Sequence, residues 1–494
     1  MLFTVLAGLA IFFSAAVVCY YLYIARLDGP PTVWPSVPFL GDTYQYLYDQ
    51  TTYLEKCRLA YGPIFRCLLG NQKMIVICDG AGIQSVLRDK TRVLSTYIVH
   101  RGVASAVAKV GADVSHYLPD RLLPLTTEIF SVTDLHHILP ALNRTLNQYV
   151  ENIKSAAYNP QYLPLATFVG DGLYSAVSTG VFGAQFPVST FKDFEEIDMN
   201  FANLMTQLPF LSTNAKRSRE RMLACIGAYI DEAGPSGGAG TLPDPATKIL
   251  NILTDLRLPT TDRNGMLMLF MWGLHSSTIR ASFWLFAYLM NNPDALARLR
   301  TEIDSAVADA GGIDALLDAP HGKLDGPQFA LLTSAVKEAI RASSIISPVR
   351  EVCEDMVVTL STGETFPIRK GESLTANIPL LHIGPGGYDD PLEFRLDRFS
   401  NKEERTNTLY IPWGSGEHIC KGRWLAQHAI KMFVVLVLRS LELSPASSSG
   451  TPISAPFLTQ KLNYMHRWQM RPHKPLSVCV RTRYSGGEAT ADFD

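Results

Sequence analysis

The residues most able to do chemistry lie in one short run, Pro412-Trp413-Gly414-Ser415-Gly416-Glu417-His418-Ile419-Cys420-Lys421-Gly422-Arg423. Beyond it, Ile430, Phe433, Val434, Val437, Leu438 and Leu441 recur at helical spacing, which predicts an amphipathic helix. A glycine-rich turn therefore delivers Cys420 to a helix N-terminus, where free N–H groups and the backbone dipole favour a thiolate. A thiolate is a strongly donating axial ligand for haem iron. Gly414 and Gly416 permit a tight bend, and Gly422 lets the helix start approach a flat ligand closely. Other chemistries fit the run less well. A dinucleotide loop would need glycine where Ile419 stands, and a structural zinc would need further cysteines nearby.

The elements that position this loop follow from the rest of the chain. Its 494 residues are 47% hydrophobic and 18% charged, enough for one large buried core. A net charge of −2 gives no sign of nucleic-acid binding. The eight cysteines are dispersed and form no C-x-x-C pair, which points to a reducing compartment rather than a disulfide scaffold. The sequon Asn143-Arg144-Thr145 then reads as chance.

Leu2 to Ile24 carries no charge, and as a helix it would span roughly 35 Å, enough for a bilayer core. No basic residue precedes it, and Tyr20, Tyr21 and Tyr23 stand at its end like an interfacial belt. These features favour an anchor over residues 2–24 rather than a cleaved signal peptide, and Arg26 favours a cytoplasmic main body. Residues 28–41 are proline-rich and predict a stiff hinge. Residues 42–494 then form the catalytic domain. Within it, a strand pair is expected at Ile64–Leu69 and Met74–Cys78, and more β-structure at Val349–Leu360 and Thr365–Ile368. A long buried helix is expected at Arg263–Met290, closed by Asn291-Asn292-Pro293-Asp294. Surface loops are expected at Ala233–Ala246, Gly311–Gly326 and Ser444–Pro452.

The cysteine loop resembles the haem-binding signature of the cytochrome P450 family, with Trp413 where phenylalanine is usual. Glu338-Ala339-Ile340-Arg341 is similar to that family's E-x-x-R, and Pro391–Phe399 to its meander. The resemblance extends over essentially the whole chain. It implies a mainly α fold with small β-sheets, preceded by one transmembrane helix. It also implies haem b (iron protoporphyrin IX) on Cys420, a buried network of Glu338, Arg341 and Arg398, and propionate contacts from His418 and Arg350. Trp413, Gly414 and Gly422 would complete the haem cradle.

Two departures from the family pattern stand out. At the distal acid–alcohol positions the central helix has Ser276 and Ser277, followed by Thr278. These three are expected to line the distal face, with no carboxylate among them. This resembles the branch of prostacyclin synthase and the sterol 7α- and 12α-hydroxylases. The family's W-x-x-x-R contact is also missing between Val99 and Ile138, with Arg121 and His136 as weak stand-ins.

The resemblance implies a monooxygenase acting on a lipophilic sterol, terpenoid or polyketide, with a role in secondary-metabolite biosynthesis among the options. It would use dioxygen and electrons from a separate NADPH-dependent cytochrome P450 reductase, with Lys421 and Arg423 on a basic docking face. Leu274 and Ile345-Ile346-Ser347 would border the substrate. The implied location is the endoplasmic reticulum membrane, single-pass, with the catalytic domain in the cytoplasm. Two alternatives stay open: an isomerase or dehydratase that needs no external electrons, and a non-catalytic haem-binding membrane protein.

Overall fold

The computed structural model describes residues 2–70, 72–89, 93–208, 210–234, 242–344, 347–384, 387–400, 409–447, 449–458 and 476–483. The order of elements is mainly helical, with ten short strands in three sheets among the described residues.

The largest sheet runs β1 (Ile64–Leu69), β2 (Gln72–Ile77), β8 (Ser373–Ala376), β5 (Val349–Val352), β3 (Leu94–Ser95). β1 and β2 form the expected hairpin, registered from Ile64 opposite Ile77 to Leu69 opposite Gln72. Gly70 supplies the positive φ that so tight a turn requires. The second sheet has the order β4 (Gln161–Pro164), β10 (Ser477–Thr482), β9 (Leu441–Ala446). The third pairs β6 (Met356–Thr359) with β7 (Thr365–Ile368).

The central helix runs Thr260–Asn291, 32 residues and about 48 Å. Its run Met266–Met271 is buried, and it packs on the helices Leu165–Phe182 and Ala330–Ala342. A side chain at Gly265 would meet the Ala108 carbonyl oxygen at 2.5 Å, so glycine is what lets the helix Tyr97–Ala108 lie against it. Asn292 then closes the helix and caps the next, accepting the Ala295 N–H at 3.1 Å.

The helix after the cysteine loop, Arg423–Ser440, is buried on every side from His428 to Leu438, not on one stripe as expected. Its one lysine in that stretch, Lys431, is 1% exposed. It survives burial by pairing with Asp325 and donating to Thr333 Oγ1 at 2.9 Å. Asn143 is also fully buried, donating to the Leu317 carbonyl and bonded to His428, so the folded chain offers no sugar acceptor there.

Two of the predicted loops contain regular structure. A helical turn, Ile313–Leu317, interrupts the second, and the third begins inside β9, where pairing with β10 overrides its serine- and proline-rich composition. The first is described only outside residues 235–241.

The N-terminal helix runs Leu2–Ala25. Among the described residues no helix is long and apolar enough to cross a membrane. The side chains of residues 2–10 lie outside the described ones, so the expected anchor over residues 2–24 is described only in part. Residues 28–41 lie along β1. Val33 N donates to Arg66 O, Arg66 N to Pro31 O, and Asp42 N to Leu68 O. Arg66, 1% exposed, reaches the Asp28 and Pro30 carbonyls and ion-pairs with Glu372 at 2.8 Å.

Candidate haem site

The cysteine loop is folded on itself by local bonds. Cys420 N donates to Trp413 O at 2.9 Å, and Gly414 N to Ile411 O at 3.0 Å. Gly414 and Gly416 both have positive φ. At Gly416 a side chain would strike the Leu87 carbonyl oxygen at 2.3 Å, so the loop is wedged against the end of the helix Gly80–Leu87. Trp413 is half-buried against the main core.

Cys420 is solvent-accessible, yet burial is the largest influence on its thiol and raises its pKa. Both hold if the sulfur faces a hollow enclosed by protein. Backbone N–H groups of Gly422 and Arg423 bond to the sulfur and pull the other way, helped by the Arg423 and Lys421 charges. Burial prevails, so the expected thiolate is not stabilised by the helix start alone. A metal cation held by the sulfur would supply the missing charge. A side chain at Gly422 would meet nothing within 4 Å, which leaves open space beside the sulfur.

The central helix opens onto space in its middle. Gly273 and Ser277, four residues apart and therefore on one face, are exposed, although Met266–Met271 before them and Ala281–Ala287 after them are buried. A side chain at Gly273 would also meet nothing. Leu274 is half-buried beside this face.

The structure separates the three hydroxyls expected on the distal face, because successive helical residues point about 100° apart. Ser277 alone is exposed. Ser276 is 8% exposed and turns to the helix Phe191–Met199, donating to Asp198 Oδ1 at 2.6 Å. Trp272 Nε1 donates to the same oxygen at 2.9 Å, and Arg280 reaches Asp198 Oδ2 at 3.4 Å and Ser276 Oγ at 3.1 Å. Thr278 is buried and donates to the Leu274 carbonyl one turn back at 3.0 Å. Thr278 therefore does not line this face. Asp198 is 78 residues from Ser276 in the chain, and nothing in the sequence reading pointed to it.

Glu338, Arg341 and Arg398 are brought together with essentially no exposure. Glu338 accepts from Arg341 Nε at 2.7 Å and Nη2 at 2.9 Å, and from Arg398 Nε at 3.0 Å. The two guanidiniums also donate to the carbonyls of His382, Pro391, Asp389 and Asp390. Burial pulls the Arg341 pKa down, but the Glu338 hydrogen bond and charge outweigh it and the net direction is up.

Arg350 sits in β5, 7% exposed, and among the described residues its guanidinium bonds only to the neighbouring Val349 carbonyl. Burial alone lowers its pKa. His418 is lowered by burial and then by the Arg350 charge. His100, half-buried on the helix Tyr97–Ala108, is pushed down to about 4 by burial, with His418 and Arg350 adding to the shift. These three basic groups share one region, and no carboxylate bonds to any of them among the described residues. Such a cluster calls for an anionic ligand. Together with the accessible Cys420 and the open helix face, it fits a haem carrying its two carboxylates.

Arg121 and His136 are both exposed, and His136 bonds back to the Thr133 carbonyl. Lys421 and Arg423 fold back on the loop, to the Glu417 and Cys420 carbonyls. Ile345 and Ile346 lie outside the described residues; Ser347 is half-buried just ahead of β5.

A model of the cytochrome P450 family matches residues 31–468. Over 472 residues the chain is 24% identical to cytochrome P450 7B1 of Mus musculus, covering 89% of this chain and 90% of that protein. It is 22% identical over 452 residues to the 7-alpha-hydroxycholest-4-en-3-one 12-alpha-hydroxylase of Homo sapiens, covering 84% and 86%. It is 23% identical over 460 residues to prostacyclin synthase of Bos taurus, covering 85% and 88%.

Proposed function

The chain belongs to the cytochrome P450 family, and from that premise we propose that it is a membrane-anchored monooxygenase that places oxygen on a lipophilic, sterol-like substrate. The family and the hydroxylases among its relatives make it a haem-thiolate oxidoreductase that binds haem b. The observation that carries the site assignment is Cys420: an accessible cysteine just ahead of a helix start, its thiol favoured as thiolate by the Gly422 and Arg423 N–H groups and opposed by burial.

Haem iron, when bound, supplies the activation of dioxygen. The residues of the chain bind and orient around it. Cys420 gives the proximal sulfur. Arg350 and His418 take the propionates, which neutralise the buried guanidinium. Gly414 shapes the bend, Gly422 keeps the space beside the sulfur free, and Trp413 fixes the loop to the core. The network of Glu338, Arg341 and Arg398 holds the meander to the helix Ala330–Ala342. On the distal face Ser277 can hold a water-borne proton at its Oγ, while Ser276 and Thr278 shape the helix that presents it. Leu274 and Ser347 border the substrate.

The uncharged run Leu2–Ile24 supports an anchor, with the catalytic domain, residues 42–494, on the cytoplasmic side of the endoplasmic reticulum. The end of the helix is tied to the proline-rich hinge, residues 28–41, by stacking of Tyr21 on Trp34 and Tyr20 on Phe39. Electrons would come from a separate NADPH-dependent reductase, docking where Lys421 and Arg423 flank the cysteine. The sterol class rests on what the names of the relatives say of those proteins.

One observation favours a second reading. Among the described residues the only carboxylate bonded to the central helix near Ser277 is Asp198, and three donors, Trp272, Ser276 and Arg280, engage it. A face without an acid suits an isomerase that needs no proton delivery, and prostacyclin synthase is among the relatives. Turnover with and without NADPH and reductase separates the two: full-rate product without electrons rules out the monooxygenase. The reduced, carbon-monoxide-bound spectrum tests the ligand. Cys420→Ser abolishes the thiolate-type band, and a variant that keeps it removes Cys420 from the iron.

A further inference from the structure

We propose that His100 is a third propionate-binding group, standing in for the aromatic–arginine contact that this chain lacks; the inference rests on the haem reading above. Backbone register carries it. β3 pairs with β5 antiparallel, Leu94 opposite Val352 and Ser95 opposite Glu351. Arg350 adjoins Glu351 in β5, and the helix Tyr97–Ala108 starts directly after β3 with Thr96 as its N-cap. His100 is one turn further on, on the face of Thr96, and its Nδ1 lies 3.4 Å from Thr96 Oγ1. This helix packs on β5, the strand that carries Arg350.

The chemistry follows from the tautomer. A neutral imidazole whose Nδ1 accepts from the Thr96 hydroxyl carries its proton on Nε2. Nε2 has no other partner among the described residues, and the Arg350 and His418 charges both act on this ring, so its donor is left for an anion held by that pair. Neither of those groups bonds to a carboxylate there, and Arg350 is buried with one carbonyl contact. Glu417, next to His418 in the chain, is exposed and bonds to none of the three, although its charge acts on His418. An anion held by Arg350 and His418 gives Nε2–H its acceptor. The weak stand-ins are both solvent-exposed, Arg121 within the turn Leu118–Leu122 and His136 bonded to Thr133.

The test is haem loss from the ferric holoenzyme to excess apomyoglobin, with the reduced carbon-monoxide spectrum recorded on each variant. H100F removes the donor and keeps the ring volume; H100Q keeps a donor; R350Q is the reference for the seat itself. A hydrogen bond to a charged group predicts about tenfold faster loss from H100F, loss from H100Q within about twofold of the parent, and an unchanged thiolate-type band in both. H100A carries the same prediction if H100F does not accumulate as holoenzyme. Loss from H100F at the parental rate while R350Q loses haem faster overturns this inference and leaves the haem reading intact. Equal acceleration in H100F and H100Q also overturns it, because the residue then acts through packing. Parental rates in all three variants overturn it together with the placing of the propionates on this cluster.

Discussion

The two faces of the hollow are built on opposite principles. The proximal side starts from residues close in sequence, a twelve-residue loop closed by its own carbonyls and Glu338 with Arg341 one turn apart, and adds distant partners such as Arg398 to them. The distal side depends on distant partners. Ser276 takes its place from Asp198, and His100 and Arg350 are joined only by the register of β3 on β5. The proximal side is over-determined and rigid. The distal side is held by contacts between separate helices, the kind of contact that can be retuned one residue at a time without disturbing the thiolate.

Breaking the proximal side should cost most. Glu338→Ala strips the carboxylate that pairs with two buried guanidiniums, which predicts about 3–5 kcal/mol of lost stability. Urea denaturation of the holoenzyme checks it, and a loss under about 1 kcal/mol would mean that the backbone carbonyls alone satisfy Arg341 and Arg398.

The corresponding cut on the distal side is Asp198→Ala. It leaves Trp272, Ser276 and Arg280 without their shared acceptor. Because Arg280 keeps Ser276 as an acceptor and is partly solvated, the expected cost is smaller, about 1–3 kcal/mol. The thiolate-type carbon-monoxide band should be unchanged. A lost band would show that the two faces are coupled, against the contrast drawn here.

This contrast also explains what could be read in advance. The hairpin Ile64–Ile77, the central helix and the cysteine loop were legible because each carries its own periodicity or turn residues within one segment. The companion motifs Glu338-x-x-Arg341 and Arg398 were legible through resemblance to a family; an i,i+3 pair by itself says nothing of burial. Asp198 and His100 were not legible. An aspartate on a polar helix face and a histidine in a helix carry no local signal, and only tertiary packing gives them partners. The one-stripe expectation for Arg423–Ser440 failed for a related reason: Lys431 and His428 look solvent-facing until Asp325, Thr333 and Asn143 are placed against them.

Acid should weaken both faces alike. Burial pushes His275 on the distal side and His428 on the proximal side down to about 3. Below the ordinary histidine value near 6.5 the unfolded chain takes up protons that the folded chain refuses. The stability from the neutral forms is therefore fully present above about pH 6.5 and is lost as pH falls toward 3. Each histidine contributes a slope of up to about 1.4 kcal/mol per pH unit. His275→Gln and His428→Gln should each flatten the urea-midpoint profile between pH 6.5 and 5 by a similar amount. A profile flattened by only one of them would locate the acid sensitivity on that face.

The smallest structural change gives the sharpest distinction within the distal helix. Ser276→Ala removes one bond to Asp198 and should cost about 1–2 kcal/mol, with product formed per NADPH close to the parent. Ser277→Ala touches nothing that holds the fold, so stability should stay within about 0.5 kcal/mol. If Ser277 is the hydroxyl that serves the reaction, product per NADPH falls in this variant and peroxide rises in its place. Neighbouring serines on one helix would then divide the work by direction alone, one facing Asp198 and one facing the hollow. The reverse result, with Ser276→Ala uncoupled and Ser277→Ala unaffected, would move the functional hydroxyl to the Asp198 side. It would make that carboxylate part of the reaction rather than of the scaffold.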